Sequence, residues 1–459
     1  MRRAGPFPAC QRVATEIPTE PCDAYGLGCS DAEKPPNVLL VIGDDVGVDL
    51  VGGYAGHAEP PPTPTLDRLA RDGVRFTHAY SMPWCSPTRA GILTGRFGRR
   101  FGLGRAIPLF NPADVSLPLA EQTLPELLDT ASPWRWEHAL VGKWHLTRFG
   151  DDPATAPLRH GFQRFLGTVG NLSRTHSFRG RDQGYYDWER IEDGELTTST
   201  TYSTTALVND ALEVIEGAAA PWFVWLAFHA AHEPHAPPPA ELHSYGDLTR
   251  ARADVLYRAE VEAMDRELGR LLDRLEHGVR ERTMVIFVGD NGTSPEGQRG
   301  PWRGAPSKGT VYEAGVRVPL IVAGSLVDRP DRDSDAFVHT NDLFATILDV
   351  AGVPCSARPE EVDSVSLLPH LLDPEAAATR DVVASETFEP NGPGPYRIHM
   401  RMVRDERYKL VRRLGSPDEF YDMRGRILEA EPMRPDDQDA TARAARDRLE
   451  AQLAEIFPP

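Results

Sequence analysis

A cysteine, a proline and an arginine stand close together in the segment that runs from Cys85 to Arg96. Pro87 suits the first turn of a helix, so we expect Cys85 at a helix start, where unpaired backbone N–H groups attract anions. Arg89 follows Cys85 by four residues and would lie on the same face of that helix. The spacing brings a nucleophile, a cation and a helix N-terminus to one point, which suits chemistry on a tetrahedral oxyanion.

Polar side chains also follow four apolar runs that have the composition of buried strands. These side chains are Asp44 and Asp45 after 38–42, Lys143 and His145 after 139–141, His229, His232 and His235 after 222–228, and Asp290 and Asn291 after 284–288. The carboxyl ends of strands form the usual ligand-binding edge of an open α/β sheet. Three aspartates and an asparagine supply oxygen ligands, which suit calcium or magnesium better than zinc.

Lysine is rare in this chain, because only Lys34, Lys143, Lys308 and Lys409 are lysine among 50 basic residues. Lys143 and Lys308 are therefore candidates for neutralising an oxyanion as compact point charges. Each candidate also has an ordinary structural explanation. The acidic pairs could be turns, the lysines could lie on the surface, and Cys85 could be a small buried hydrophobic residue. Their combination favours a functional site.

The composition restricts the classes of partner. The chain has 459 residues and a net charge of −18, which disfavours nucleic acids and anionic membranes. No apolar run reaches the roughly 18 to 20 residues of a membrane span. The first eight residues lack the apolar region of a signal peptide, which predicts a cytoplasmic location unless the start is mis-assigned. We expect free thiols at Cys10, Cys22 and Cys29, with a disulfide or a metal site as alternatives.

Strand-like runs at 38–42, 139–141, 222–228, 284–288 and 318–322 alternate with helical patterns at 65–70, 124–128, 251–277 and 341–348. This alternation predicts an α/β fold. We expect an irregular N-terminal leader at 1–36, the main domain at 37–375, and a small C-terminal α+β subdomain at 376–459. Antiparallel strands and a final helix near 440–456 would form that subdomain. Residues 146–205 and 386–398 are weakly patterned, and we predict loops there.

At these residues the chain resembles the type I sulfatases, the formylglycine-dependent branch of the alkaline phosphatase superfamily. The resemblance covers about residues 36–425. Its segments are Cys85 to Arg96, Thr63 to Ala70, Gly142 to Leu146, Ala231 to Pro234, and Ser307 to Pro319. It implies a large central mixed, mostly parallel sheet flanked by helices, as in alkaline phosphatase, with residues 37–375 as the catalytic domain.

The resemblance also implies one divalent cation, usually calcium in this family. The implied ligands are Asp44, Asp45, Asp290, Asn291 and the oxidised Cys85. A separate formylglycine-generating enzyme would oxidise this cysteine to formylglycine. The substrate would be a small-molecule or carbohydrate sulfate ester. The sequence does not predict an oligomeric state.

Roles for the remaining site residues follow from the same resemblance. Arg89 would hold the formylglycine hydroxyls, and Lys143, His232 and Lys308 would contact the sulfate oxygens. One hydroxyl of the hydrated aldehyde would attack sulfur while His232 or Lys308 protonates the departing alcohol. His145 would then deprotonate the second hydroxyl, so that the aldehyde reforms and sulfate leaves.

Several alternatives stay open at the level of sequence. The same scaffold could hydrolyse phosphonate monoesters or phosphodiesters, because both reactions stabilise similar oxyanions. A non-catalytic binder of sulfated glycans and a metal-dependent phosphatase with an unmodified nucleophile are less favoured. The substrate is also open, and we expect selectivity to come from side chains in the two predicted loop regions. The candidates are Arg174, His176, Arg179, Arg181, Tyr185 and Tyr186.

Three short segments depart from the common sulfatase pattern. Thr293 stands where a second glycine usually follows Asp-Asn-Gly, and residues 305–307 precede Lys308 where glycine is more common. Residues 424–426 replace an acidic-proline turn after Met423. We expect these departures to change the shape of loops rather than the identity of ligands.

Overall fold

The long apolar runs of the sequence form neighbouring strands of one ten-stranded sheet. The computed structural model describes residues 34–54, 59–108, 111, 114–219 and 221–458. Nearly all of the predicted leader, with Cys10, Cys22 and Cys29, lies outside these residues. Within the described ranges, every helix is too short or too polar to cross a lipid bilayer.

The strands of the large sheet and of a second, smaller sheet follow each other along the chain. The large sheet contains β1 (Asn37–Gly43), β2 (Gly73–Tyr80), β3 (Glu137–Lys143), β4 (Arg164–Thr168), β5 (Trp188–Glu192), β6 (Glu195–Ser199), β7 (Trp222–Ala227), β8 (Thr283–Gly289), β9 (Leu320–Gly324) and β10 (Arg332–His339). The small sheet contains β11 (Val383–Glu389), β12 (Ile398–Arg404), β13 (Tyr408–Arg413) and β14 (Glu419–Asp422).

Helices connect most of these strands. They are α1 (Pro64–Arg71), α2 (Cys85–Thr94), α3 (Leu124–Ala131), α4 (Ala156–Arg159), α5 (Ser203–Gly217), α6 (Ala253–Arg274), α7 (His277–Glu281), α8 (Glu313–Val316), α9 (Asp342–Val350), α10 (Leu368–Leu372) and α11 (Ala440–Ile456). The helices predicted near 65–70, 124–128, 251–277, 341–348 and 440–456 correspond to α1, α3, α6, α9 and α11.

The strand order of the large sheet is β10-β2-β9-β8-β1-β7-β3-β4-β5-β6. Strands β8, β1, β7, β3 and β4 run parallel, so their carboxyl ends share one edge. Strand β9 runs antiparallel to both of its neighbours. The apolar run 318–322 had suggested a strand like those of the parallel centre, and that part of the interpretation was wrong. The mixed, mostly parallel α/β fold is confirmed.

Both faces of the sheet are buried, which explains why its central strands are continuously apolar. Along β1, Val38, Leu40 and Ile42 pack into one hydrophobic cluster. Leu39 and Val41, which point to the other face, pack into a second cluster. The site at the sheet edge therefore rests on a scaffold that is packed on two sides.

The region predicted as a loop at 146–205 is only partly irregular. It contains α4, the strands β4, β5 and β6, and the beginning of α5. Residues 386–389, also predicted as loop, continue strand β11. The pattern was weak because β5 and β6 form a short hairpin at one end of the sheet, where polar side chains such as Glu195 and Thr198 remain exposed.

The small antiparallel sheet packs against the large one through a buried ionic cluster. Glu313, at the start of α8, accepts hydrogen bonds from Arg404 of β12 (2.6 Å), Tyr80 of β2 (2.9 Å) and Lys409 of β13 (3.0 Å). Lys409 also binds Glu429 at 2.6 Å. This rare lysine therefore joins the two sheets. The strands of the small sheet begin at Val383, while the domain boundary at 375 stays a prediction.

A carboxylate from α6 caps the N-terminus of α1. Asp265 accepts hydrogen bonds from the backbone N–H groups of Thr65 (2.9 Å) and Leu66 (2.8 Å), and its side chain is buried. The N-cap residue Thr63 does not cap its own helix with its side chain. The first turn of α1 therefore depends on a residue about two hundred positions away.

We expect Asp265→Ala to lower the free energy of unfolding by about 1–3 kcal/mol, because two buried N–H groups would lose their acceptor. Chemical denaturation followed by circular dichroism measures this change. Asp273→Ala is the matched control, since Asp273 also joins α6 to α1 but through an exposed ion pair with Arg68. That control should cost at most about 1 kcal/mol. Equal losses in the two variants would contradict the capping role.

Candidate active site

Four neighbouring parallel strands deliver the predicted polar residues to one edge of the sheet. Strand β1 leads into Asp44, β8 into Asp290, β3 into His145 and β7 into His229. The register pairs Gly43 of β1 with Gly289 of β8, so the two following aspartates start from the same level. The strand order alone therefore brings these four segments together.

Cys85 is the first residue of α2, as the proline spacing predicted. Every residue of this helix is buried, so its N-terminus points into the protein at the sheet edge. Arg89 lies one turn further along. Its guanidinium donates to Asp290 Oδ2 at 2.8 and 3.1 Å and to the carbonyl oxygen of Lys143 at 2.8 Å. These bonds fix Arg89 between the ends of β8 and β3.

Three carboxylates and one amide form an oxygen-rich cluster above β1 and β8. The backbone N–H of Asp45 donates to Asp290 Oδ1 at 3.2 Å, and Asn291 Nδ2 donates to Asp45 Oδ1 at 2.8 Å. Asp44 Oδ1 and Asn291 Oδ1 are buried, and neither has a hydrogen-bond partner among the described residues. Burial, together with the nearby Asp44, raises the pKa of Asp290. The cluster thus presents two buried oxygen atoms, Asp44 Oδ1 and Asn291 Oδ1, that lack a hydrogen-bond partner among the described residues.

Three cations balance the three carboxylates. Lys143 pairs with Asp44, Arg89 with Asp290, and Lys308 with both oxygens of Asp45 at 2.6 and 2.7 Å. Burial is the largest single influence and would raise the pKa of Asp45, but the charges of Lys308 and His232 together with hydrogen bonds from Asn291 and Lys308 lower that pKa below its ordinary value. The two rare lysines singled out in the sequence therefore both lie in the site.

The imidazole of His145 lies beside the Cys85 thiol, with 3.2 Å between Nδ1 and Sγ. Its Nε2 is 3.0 Å from the carbonyl oxygen of Ile107. A carbonyl only accepts, so Nε2 carries the proton and the lone pair of Nδ1 points at residue 85. Burial first, and then the charge of Lys143, lowers the pKa of His145 well below its ordinary value. His145 is therefore a neutral base directed at Cys85.

The three histidines after β7 have different surroundings. His232 reaches the cluster, because one of its ring nitrogens lies within 4.8 Å of carboxylate oxygens of Asp44 and Asp45. His229 instead bonds Thr168 Oγ1 at 2.8 Å, and His235 bonds Glu260 at 2.8 Å. Burial and the charge of Lys308 lower the pKa of His232 to about 3. The sequence-based choice of His232 thus picked the histidine that lies at the cluster.

The candidate specificity residues in 146–205 do not form one group. Arg174, Arg179 and Tyr186 are exposed, and Arg181 binds Asp187 at 2.6 Å. Tyr185 is fully buried, so the suggestion that it lines the cleft was wrong. Its hydroxyl donates to the carbonyl oxygens of His229 and His232 at 3.1 and 3.0 Å, which holds the histidine loop.

His176 is the candidate from that group whose side chain packs against the side chain of His145. Its ring meets that of His145 edge to face, with 4.9 Å between centroids, and its Nε2 lies 3.3 Å from the same Ile107 carbonyl. Burial lowers the pKa of His176 to about 4. The neutral ring therefore packs against His145 without adding a charge.

Two residues that hold Asp45 in place could not be identified from the sequence. Tyr257 of α6 donates its hydroxyl to the carbonyl oxygen of Asp45 at 2.6 Å, and Ser294 donates to Asp45 Oδ2 at 2.7 Å. Tyr257 had been predicted only as part of an amphipathic helix, and its register toward Asp45 depends on how α6 packs. Thr293, noted as a departure, donates to Asp49 at 2.5 Å and accepts from the N–H of Gly47 at 3.2 Å.

Comparisons with known proteins agree with this geometry. The family model "Sulfatase" matches residues 36–353, and the model "N-sulphoglucosamine sulphohydrolase, C-terminal" matches 303–456. Human N-acetylgalactosamine-6-sulfatase is 34% identical over 372 residues, which cover 76% of this chain and 68% of the relative. Rat arylsulfatase G is 28% identical over 419 residues, covering 82% and 75%.

Solved structures share the fold. A structure in complex with its substrate D-glucosamine-2-N,6-O-disulfate has a TM-score of 0.69 at 20% identity, covering 92% of this chain and 98% of its own. The PsFucS1 sulfatase from Pseudoalteromonas sp. has a TM-score of 0.72 at 24% identity, with coverages of 93% and 91%. The family match over most of the chain and the identity to curated relatives lead to one conclusion: this chain belongs to the sulfatase family and is a sulfuric ester hydrolase.

Proposed function

We propose that this sulfatase removes sulfate from carbohydrate sulfate esters, with a formylglycine made from Cys85 and one divalent cation. The observation that supports this most strongly is the position of Cys85, whose Sγ lies 3.2 Å from the directed base His145 at the start of a buried helix. The carbohydrate substrate is inferred from relatives. The human relative is named for N-acetylgalactosamine 6-sulfate chemistry, and one structural neighbour holds a sulfated glucosamine.

The residues present fit a hard divalent cation. Asp44, Asp45, Asp290 and Asn291 offer oxygen atoms only, which is the ligand type that Ca²⁺ and Mg²⁺ prefer. The free buried oxygens of Asp44 and Asn291 are the positions that such an ion would satisfy. We infer Ca²⁺, as is usual in the family. When bound, the ion would supply positive charge and lower the pKa of an oxygen nucleophile at residue 85.

An unmodified Cys85 is poorly suited to act as the nucleophile. Burial, which is the largest influence, raises the pKa of its thiol above the ordinary value, and the thiolate is the reactive form. A hydrated formylglycine would instead present two hydroxyls within reach of His145. This supports maturation by a separate oxidising enzyme.

The remaining side chains would bind the sulfate group and take part in the proton transfers of the reaction. Lys143 and Lys308 lie on either side of the carboxylate pair Asp44 and Asp45, and a sulfate oxygen near them would meet positive charge. His145, neutral and with a free Nδ1 lone pair, would accept a proton from a hydroxyl at residue 85. Lys308, whose pKa is raised by Asp45 against the effect of burial, would stay charged. Lys308 would give a proton to the departing alcohol, whereas His232, whose pKa is lowered to about 3, would be neutral and would have to take up a proton before it could act as the acid.

We expect intact-protein and peptide mass spectrometry to find residue 85 lighter than cysteine by roughly 18 Da in active enzyme, the difference between a thiol and an aldehyde by atom counting. Cys85→Ala should lower kcat/KM for a sulfate ester by about 10³-fold or more. Cys85→Ser, which supplies one hydroxyl in place of two, should fail similarly. Active enzyme with an unmodified thiol would refute the formylglycine proposal.

We expect Ca²⁺ to raise the melting temperature, because a ligand of the native state at 100 times its Kd adds about 2.7 kcal/mol. Differential scanning calorimetry with and without a chelator measures the shift. Asp290→Asn should reduce it, since one carboxylate charge is lost. Asp49→Asn is the control, because Asp49 is equally buried but bonds Thr293. If the control loses the shift and Asp290→Asn keeps it, the assigned ligand set is wrong.

Parallel assays with an aryl sulfate and an aryl phosphonate monoester test the alternative activity on the same scaffold. We expect kcat/KM for the sulfate to be larger by at least about tenfold, equivalent to about 1.4 kcal/mol of transition-state free energy. The physical reason is the number of terminal oxygens that the cations of the site can contact. A sulfate monoester offers three, whereas a phosphonate monoester of the same charge offers two. Faster turnover of the phosphonate would reverse the assignment.

A further inference from the structure

Few of the predicted site residues reach the protein surface, and those that do mark the mouth of the site. Eight of the ten predicted site residues are buried, and the two that are partly exposed are His232 and Lys308. Trp84, which directly precedes Cys85, is partly exposed as well. A sulfate group that reaches the buried cations must therefore leave its alcohol portion near these three residues.

Trp84 is fixed against the loop that carries Lys308. Lys308 Nζ lies 5.8 Å from the centre of the indole, within the range of a cation–π interaction. The N–H of Gly309 donates to the carbonyl oxygen of Pro83 at 2.9 Å. Gly309 has φ +86°, and a Cβ at that position would lie 2.6 Å from Trp84 Cζ2. Glycine at 309 thus makes room for the indole, and the ring is held in a defined place.

The chemistry of the mouth is uneven. His232 and Lys308 are polar groups that lie beside the carboxylate of Asp45, whereas Trp84 is a large flat apolar surface. Six of the eight tryptophans are buried in the core. The other partly exposed one, Trp134, precedes β3 and therefore lies toward the opposite edge of the sheet. A partly exposed tryptophan beside the reacting residue is suited to pack against the C–H face of a sugar ring.

We propose that Trp84 is a specificity-determining residue: its indole is the platform for the ring that bears the sulfate, and it favours pyranose sulfates over acyclic alkyl sulfates. The inference rests on the proposed function and adds the residue that recognises the alcohol portion. An aryl sulfate presents a comparable flat ring and would use the same platform.

A different role for Trp84 would be only to position Lys308. In that case its loss would affect every sulfate ester equally, since all of them need Lys308 at the sulfate. A platform affects ring substrates selectively and acts mainly on KM. The two roles therefore predict different substrate patterns.

The first experiment compares the active wild-type enzyme with Trp84→Leu and Trp84→Phe. The substrates are a 6-sulfated N-acetylgalactosamine, an aryl sulfate and an acyclic alkyl sulfate, and the readout is the ratio of kcat/KM for ring and acyclic esters. Trp84→Leu should lower this ratio by about tenfold, mainly through KM, and Trp84→Phe should lower it less. Trp134→Leu is the matched control and should leave the ratio unchanged. An unchanged ratio in Trp84→Leu, or an equal loss on all esters, would overturn the proposal.

A second measurement does not depend on turnover. Calcium-loaded Cys85→Ala protein, with and without Trp84→Leu, is titrated with the sulfated sugar and with inorganic sulfate by calorimetry. The ratio of the two Kd values should shift by about tenfold against the sugar when Trp84 is lost. If loss of Trp84 shifts the Kd ratio in this way but the enzyme with residue 85 intact hydrolyses no carbohydrate sulfate ester, the proposed function fails while the platform stands. If the Kd ratio does not move, the platform fails.

Discussion

The site depends on a balance of charge in a buried space. Asp44, Asp45 and Asp290 meet at the sheet edge, and three carboxylates in a buried space are strongly destabilising unless each is paired. Arg89, Lys143 and Lys308 supply one cation for each. A divalent ion added to this neutral set would leave two positive charges. That local excess would attract an anionic ester to a chain whose overall charge is −18.

Uncommon backbone conformations, held by hydrogen bonds to their carbonyl oxygens, fix the orientation of two residues of this cluster. Asp45 and His145 both have positive φ, at 62° and 63°. These are uncommon conformations for residues other than glycine. Tyr257 secures the carbonyl of Asp45, and Ser86 donates to the carbonyl of His145 at 2.7 Å. The same Ser86 hydroxyl accepts the N–H of Ile107 at 3.1 Å, so it also places the carbonyl that orients the His145 ring.

The parts of the structure that follow local rules could be predicted from the sequence. Continuous apolar runs marked the strands, and polar residues at their ends marked the site, because parallel strands bring those ends together. The helix start at Cys85 followed from Pro87. The direction of β9 could not be predicted, because the apolar pattern of a strand does not show whether it runs parallel or antiparallel to its neighbours. Tyr185 was one of six candidates for lining the cleft, because composition does not reveal that its hydroxyl binds two buried carbonyls.

Contacts between residues that are far apart in the sequence could not be predicted, because composition does not show which atoms packing brings together. Tyr257 belongs to a helix whose rotation is set by packing, and Ile107 contributes only a carbonyl oxygen, which every residue possesses. Lys409 shared the rarity of the other lysines, yet it pairs with Glu313 between the two sheets. Rarity alone did not distinguish Lys409 from the site lysines. The position of Lys143 after a strand and the family-like segment around Lys308 did, and the fold shows what Lys409 does instead.

The order of the strands also affects how the protein reaches its native state. Strands β1, β3, β7 and β8 are distant in sequence, and contacts between such segments form slowly because long loops must close first. The carboxylates converge only when β1 and β8, which lie far apart in the sequence, are in register. A cation bound there would recognise this long-range pairing and neither strand alone. Ion affinity would then report the integrity of the central strand pair, and slowing ion release would slow its opening.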